Sequence, residues 1–396
     1  MNEDKKLNWK SHTSININSL KGSREFLEKI LLADDNALQS RKTDKPVILY
    51  GAGSLGKMAK EFFDYFKLPV LYGVDKNADQ CQLEAFWKNT KIIHPDEVEE
   101  ADKKNCLLVI CVVTTPLIVL RDELKNNGWK DVVFFYDLSE AYRDDHPISN
   151  GWFLGKFNEI DKESIGKVFF SLADDVSRAH YVQFLAWRKM RIELLFNQLE
   201  INNNNRFFIF EIISLLCENE IFVDCGAHHG SVTKKFLQLV SNKFKAIIAI
   251  EPDNINFTKL KENLEGVPNI KLMNCALSDI NGHGLFYQGF DFASKLCDVG
   301  NDSVRIITLD SLNLPATFIK MHLEGGDLKA LKGAIKTIRK HRPIVAVTIY
   351  HNADGVWETP FFLMNNTSDY KYYVRLHSWG GTGAVFYAIP AERNNI

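Results

Sequence analysis

The sequence lacks the marks that would place it among zinc-finger, disulfide-stapled, membrane-spanning or broadly nucleic-acid-coating proteins. Its seven cysteines, at positions 81, 106, 111, 217, 225, 275 and 297, form no CxxC pair and no zinc-type spacing. An odd count scattered through apolar runs predicts free thiols in a reducing compartment. No apolar run approaches the roughly 20 residues that a spanning helix needs. The longest, Phe207 to Cys217, is interrupted by Glu211. Met1 to Lys10 is polar and lysine-rich, without the apolar stretch of a signal peptide. An excess of either charge is also missing: the formal net charge is −2, which argues against a generally basic nucleic-acid surface. These absences together predict a cytoplasmic protein with no membrane span and no nucleic-acid partner.

What is present is an ordinary globular composition, 45% hydrophobic and 25% charged, over 396 residues. That length exceeds one typical core and points to two domains. The expected organisation is a polar leader over 1–45 with one helix at Ser23 to Ala33, a nucleotide-binding module over 46–140, a helical connector over 141–205 and a second domain over 206–396. The fold class read from the alternation of strand and helix patterns is α/β: two Rossmann-like doubly wound domains joined by the connector.

In the first module, Val47-Ile-Leu-Tyr50 runs into Gly51-Ala-Gly-Ser-Leu-Gly56, and a helical pattern follows with Met58, Phe62 and Phe63. The next strand, Val70 to Val74, ends in Asp75. Gly51, Gly53 and Gly56 would let a backbone approach a phosphate, and Asp75 would meet a ribose hydroxyl, as in the dinucleotide fingerprint. A nucleotide or nucleotide-sugar is the implied ligand, and a module that has kept its turn without a ligand is the bland alternative. No residue of this half reads as a hydride-transfer acid or base, which disfavours an NAD(P)-dependent sugar oxidoreductase or epimerase.

The connector is basic and aromatic. Ser171 to Phe196 reads as one long amphipathic segment, with Arg178 and Tyr181 as the residues that would reach substrate if it lids the neighbouring site. Its aromatics fit ordinary packing at least as well.

The second domain carries the densest signal. Ile221-Phe-Val-Asp-Cys-Gly-Ala-His-His-Gly230 is a strand, a glycine turn and a helix start. Asp224 ahead of Gly226 suits a ligand with an ammonium group and suits a pyrophosphate badly. Gly226, Ala227, Gly230 and Thr233 complete the turn. Glu251, closing the next apolar run, is placed to accept ribose hydroxyls. Cys275-Ala-Leu-Ser-Asp279 follows the third strand, with Ala276 and Asp279 at the adenine edge. This set predicts an S-adenosyl-L-methionine site. Further on, His322, Glu324 and His351 fall at strand ends, where open α/β sheets bind ligands.

The section from about residue 207 to 390 resembles the FkbM family of S-adenosylmethionine-dependent methyltransferases. The matching stretches are Phe222-Val-Asp-Cys-Gly-Ala227, Ile250-Glu-Pro-Asp253 with Phe257, Cys275-Ala-Leu-Ser-Asp279 and Thr308-Leu-Asp310. Ile319-Lys-Met-His-Leu-Glu-Gly325, Leu331-Lys-Gly-Ala334 and Phe386-Tyr-Ala-Ile-Pro390 extend the likeness, as does Leu172-Ala-Asp-Asp-Val-Ser-Arg178 with Tyr181 upstream. The resemblance implies a Rossmann-like methyltransferase fold and methyl transfer to oxygen, often on a sugar. The front module resembles, more loosely, nucleotide-binding modules of sugar-modifying enzymes. Two positions depart from the family pattern: His322 stands where an aspartate is usual, and His228-His229 where an acid is often found.

The expected activity is therefore S-adenosylmethionine-dependent O-methylation of a sugar or nucleotide-linked saccharide hydroxyl. A hydroxyl needs its proton taken, and a neutral histidine suits that task. His322 is the first candidate base and His351 the second, with Glu324 orienting one of them. Replacing Asp by His disfavours Mg²⁺, which prefers oxygen ligands, and leaves a softer divalent metal open; no metal ligand set is assigned from the sequence. A non-catalytic nucleotide-binding protein is the remaining alternative. The partner is a small-molecule or glycan acceptor whose identity is not legible, and a homo-oligomer is equally compatible with the chain.

Overall fold

The structure is a computed structural model that describes residues 12–33, 40, 42–146, 152–288 and 294–395. The N-terminal segment gives a strand, β1 (Thr13–Ile17), and the expected helix at Ser23–Leu31. Gly22 is the residue before that helix, and Ser19 caps the short turn ahead of it.

The first module is a parallel five-stranded sheet made of β2 (Val47–Tyr50), β3 (Val70–Val74), β4 (Ile92–Ile93), β5 (Leu107–Ile110) and β6 (Val132–Phe134), in the order β4-β3-β2-β5-β6. Its strands read as unbroken apolar runs because both faces are covered. Val47, Leu49 and Val109 pack with Phe62 and Phe63 of the helix Ser54–Tyr65. Ile48, Leu108 and Ile110 pack on the other face with Leu117, Ile118 and Leu124 of the helix Leu117–Asn126.

The connector departs from expectation. The helix spans Asp175–Met190 instead of continuing to Phe196. Asp174 opens it by accepting from Ser177 N at 2.6 Å, and Arg191, in a left-handed conformation at φ 53°, closes it. The remaining residues become β7 (Ile192–Phe196), which pairs in parallel with β1. The leader and the connector are thus one packed unit. Apolar residues all round the helix, among them Tyr181, Leu185 and Ala186, share a core with the second domain's sheet. A helix buried on every side carries little amphipathic periodicity, so the sequence does not mark where it ends.

The second domain is a seven-stranded sheet with β8 (Ile221–Cys225), β9 (Ala246–Ile250) and β10 (Ile270–Met273) on one side. A small sheet, β11 (Ala276–Leu277), β12 (Gly282–Tyr287), β13 (Lys295–Leu296) and β14 (Asp302–Ile307), follows in the chain. β15 (Phe318–Met321), β16 (Ile344–Thr348), β17 (Tyr370–Leu376) and β18 (Ala384–Pro390) complete the main sheet in the order β10-β9-β8-β15-β16-β18-β17. β18 runs antiparallel to both neighbours, and the sheet is parallel from β10 to β16. Strand alternation sends Ile221, Val223, Ile319 and Met321 to the core shared with the connector helix. Phe222 and Phe318 face the opposite core with Phe236 of the helix Ser231–Leu239. The α/β class read from the sequence is the class found.

Buried polar contacts fix the connector between the modules. Glu193 accepts from Leu117 N and Ile118 N at 2.6 and 3.1 Å, capping the first module's helix. Arg191 Nε meets Asp137 Oδ1 at 2.9 Å, and Arg188 donates to the carbonyls of Gly381 and Tyr350. The last contact reaches the sheet edge beside His351. All seven cysteines are free, four of them buried. Among the described residues no helix is long and apolar enough to cross a membrane.

Candidate active site

The C-terminal ends of β8, β9 and β15 converge on one cleft, lined by Gly226, His228, Glu251, Ala276, His322 and Glu324. The β8 turn is dictated by crowding. Gly226 sits at φ 75°, and a Cβ there would lie 2.1 Å from the His322 carbonyl oxygen. Gly230, at φ 84°, opens the helix Ser231–Leu239, and a Cβ on it would press within 2.9 Å of Leu260. Both positions require glycine for approach as well as for backbone sign.

Glu251 stands where the sequence placed it. Its Oε2 accepts from His228 N at 2.8 Å and its Oε1 from Asp253 N at 3.0 Å. Burial pushes its carboxyl up to about 7, against the pull of those two backbone donors. Asp253 caps the helix Asn254–Asn263 through Ile255 N and Asn256 N, so the Ile250-Glu-Pro-Asp253 stretch is one site acid and one structural acid.

Asp224 does not face the cleft as a free carboxylate. It is fully buried, Oδ1 lies 2.8 Å from Lys320 Nζ, and Oδ2 accepts from Thr233 Oγ1 at 2.7 Å. Lys320 also donates to the Gly226 carbonyl at 2.7 Å. Through these contacts Asp224, Thr233 and Lys320 brace the turn from beneath. Ala227 is buried in the core under the turn and also borders the second cleft described below. Asp279 is exposed, accepts from Ser278 Oγ, and lies outside the cleft lining; Ala276 does line it.

The loop after β15 carries the chemistry-bearing cluster. Asp327 accepts from Leu323 N, Gly325 N and Thr348 Oγ1, which folds the turn and holds Glu324 at φ 47°. Glu324 Oε1 lies 3.0 Å from His322 Nε2 and 3.2 Å from His351 Nε2. His351 Nδ1 is 3.6 Å from Asp327 Oδ2, and Tyr350 Oη is 3.2 Å from His322 Nε2. Burial and then the Arg206 charge pull His322 down to about 3, so it is neutral. Burial also opposes the charged form of His351, but Glu324, Tyr350 and Asp327 outweigh it and push His351 up to about 10. Burial opposes the Glu324 carboxylate as well, and His351 and His322 overcome it, holding the group well below the carboxylate range. The protonated form of His351 is thus the favoured one, facing Glu324.

A second cleft lies between the modules, lined by Ser54 and Leu55 on one side and Arg206, Ser231, Lys235 and His322 on the other. Among the described residues, none that lines it is acidic. Of the glycine loop, Gly51 (φ 105°) crowds Cys111 and Val112, and a Cβ on Gly56 would lie 2.0 Å from the Gly51 carbonyl. Gly53 has open space beside it. Asp75 accepts from Ala52 N at 2.8 Å and Asn77 N at 2.9 Å, so its carboxylate already closes the loop. Tyr72 and Lys76 stand four apart in the adjoining segment, a spacing the sequence reading passed over. Tyr72 Oη donates to Asp102 at 2.6 Å, and burial with that carboxylate raises it further above its ordinary value, so it does not act as a hydride-transfer acid here.

Arg178 and Tyr181 are not brought to either cleft. Tyr181 is fully buried in the core, and Arg178 is held by Asp175 and the Leu172 carbonyl. The residues that sequence reasoning missed come from elsewhere: Asn256, Phe286, Lys295 and Leu296 wall the first cleft, and Arg206 and Tyr350 the second. The small sheet β11 to β14 carries Phe286, Lys295 and Leu296 to the cleft, a placement that no local sequence pattern announces.

Residues 224–374 match the Methyltransferase FkbM domain. The crystal structure of methyltransferase FkbM from Methylobacillus flagellatus KT is similar with a TM-score of 0.59 at 16% identity, covering 93% of this chain and 98% of that one. At that identity the likeness speaks for the fold. A precorrin-6y C5,15-methyltransferase from Geobacter metallireducens GS-15 shares 13% identity over 45% of this chain and 86% of its own, with a TM-score of 0.30, too low to carry an argument. No curated protein matches the chain. Over residues 224–374 the chain is thus similar to the FkbM methyltransferase domain, and S-adenosylmethionine is the methyl donor which that likeness implies.

Proposed function

We propose that the chain transfers a methyl group from S-adenosylmethionine to a hydroxyl oxygen of a sugar or nucleotide-linked saccharide. The observation that carries the cofactor part is the convergence of Gly226, Glu251 and Ala276 on one cleft, each from a different strand end. Glu251 would accept the ribose hydroxyls, and the close-packed Gly226 turn would present backbone to the methionine portion. When bound, the cofactor supplies the reactive sulfonium methyl; the protein's share is alignment and handling of the acceptor proton.

The acceptor enters from the second cleft, which meets the first at Gly226, His228 and His322. Arg206 and Lys235 with no acidic lining residue favour an anionic acceptor, which suits a nucleotide-linked sugar. The turn Gly51, Gly53 and Gly56 with Ser54 at the helix start supports docking of the nucleotide part by the first module. His322 is the base. Its contacts to Glu324 and Tyr350 both use Nε2, so the proton would be taken at Nδ1. Burial makes it a weak base on its own, and the Glu324 carboxylate offsets this by stabilising the imidazolium as it forms.

The test is transfer of an isotope-labelled methyl group to a panel of nucleotide sugars and free sugars. The reading expects a base-stable ether on a nucleotide sugar, with kcat reduced at least about a hundredfold in His322→Asn. Transfer only to nitrogen or carbon nucleophiles in a comparable panel would overturn it.

A further inference from the structure

We propose that His322, Glu324 and His351 form a binding site for one divalent transition-metal ion. One donor atom from each of His322, Glu324 and His351 can be chosen so that all three lie within 4.8 Å of one another. Two of the separations are 3.0 and 3.2 Å. Metal–ligand bonds of about 2.0–2.2 Å place neighbouring ligands roughly 3.0–3.5 Å apart, so little side-chain movement is needed to accept an ion.

The surroundings are built for it. The side chains of His322, Glu324 and His351 are 20%, 11% and 3% exposed, low enough to limit competition from bulk water. Asp327 sits 3.6 Å from His351 Nδ1 and is itself held by Thr348 Oγ1 and two backbone amides. At 3.6 Å the two approach without a hydrogen bond; a carboxylate brought onto the far ring nitrogen directs the other nitrogen's lone pair at a metal, and it is the usual outer partner of a ligating histidine. The same turn holds Glu324 in a left-handed backbone conformation, at φ 47°, which aims its carboxylate between the two imidazoles.

The donor set selects the class of ion. Two imidazoles and one carboxylate suit Zn²⁺, Fe²⁺, Co²⁺ or Mn²⁺, whereas Mg²⁺ and Ca²⁺ favour oxygen. Three protein ligands leave positions open toward the clefts that His322 borders. The binding claim stands apart from the methyltransferase reading; its role in transfer rests on that reading. There, a bound ion would take over the activation that His322 provides in the metal-free site: with Nε2 on the ion His322 keeps its proton at Nδ1, and the ion would hold the acceptor hydroxyl and lower its pKa. The proton leaves to solvent, the oxygen–carbon bond forms as the sulfur–carbon bond breaks, and the electron pair returns to sulfur as the thioether.

The experiment uses untagged full-length protein stripped with a chelator and titrated with Co²⁺ and Zn²⁺, followed by calorimetry and visible absorption. One ion per chain is expected, with Co²⁺ bands typical of nitrogen ligation. His351→Ala should weaken binding at least about a hundredfold, and Asp327→Asn roughly tenfold. His322→Asp should keep an ion while moving preference from Zn²⁺ toward Mn²⁺, and it carries the test if His351→Ala fails to fold by circular dichroism. Absence of stoichiometric Co²⁺ and Zn²⁺ binding to the wild-type protein, or binding unchanged in folded His322→Ala/His351→Ala, would overturn the site. S-Adenosylhomocysteine affinity measured on the same samples separates this outcome from failure of the methyltransferase reading.

Discussion

Asp224 and Lys320 are register partners on the adjacent strands β8 and β15, and their charges meet at 2.8 Å with both side chains out of contact with water. The pair ties the cofactor turn to the strand that ends in His322, since Lys320 also bonds the Gly226 carbonyl. Removing one member of a buried pair leaves an uncompensated charge, at a cost of about 3–5 kcal/mol. Asp224→Ala is therefore expected to lower the unfolding free energy by that amount in denaturant titration, and Lys320→Met similarly. The double change Asp224→Leu/Lys320→Met should cost less than the two single changes added together. Loss of ligand affinity without loss of stability in Asp224→Ala would instead return Asp224 to the ligand.

Gly226→Ala tests the close approach of the β8 turn to the end of β15. The added methyl collides with the His322 backbone, and the residue must hold a positive φ. A destabilisation of roughly 2–4 kcal/mol is expected, read as a lowered thermal midpoint, together with weakened S-adenosylhomocysteine binding. A fully stable variant would show that the turn can move away from His322.

Glu251 gives cofactor binding a pH dependence. Its carboxyl titrates at about 7 because burial disfavours the charge. Ribose hydroxyls donate best to the ionised form, so S-adenosylhomocysteine affinity should rise from about pH 6 to about pH 8 and then level off. Glu251→Gln should bind roughly tenfold to a hundredfold more weakly and lose this slope. Calorimetry across that range in the wild type and the variant checks both.

His351 makes a separate contribution to stability in metal-free protein. Its folded-state value is raised from 6.5 to about 10, so the protonated form is the stabilised one. The stabilisation is fully present below about pH 6.5 and is lost as pH rises through about 10. Denaturant titrations with chelator present should show this decline, and His351→Gln should flatten it.

The part of the site legible in the sequence was the part made locally. The Gly226 and Gly230 turn, Glu251 at the end of its strand and Ala276 all follow from strand-to-turn punctuation, and Gly226, Glu251 and Ala276 line the first cleft. Contacts across strands were not legible. Nothing local announces that Lys320 will stand beside Asp224, so the buried ion pair is invisible in the sequence. The same limit applied to Tyr181: an aromatic on a basic helix resembles a substrate contact until the whole helix proves buried. His322, Glu324 and His351 were recognised as strand-end residues, but their convergence depends on the Asp327 turn, whose bonds link separate strands.

The most direct measurement is calorimetric titration of the intact, folded chain with S-adenosylhomocysteine. The account predicts one bound molecule per chain, with affinity reduced in folded Glu251→Gln. No binding to chain shown to be folded by circular dichroism would contradict it.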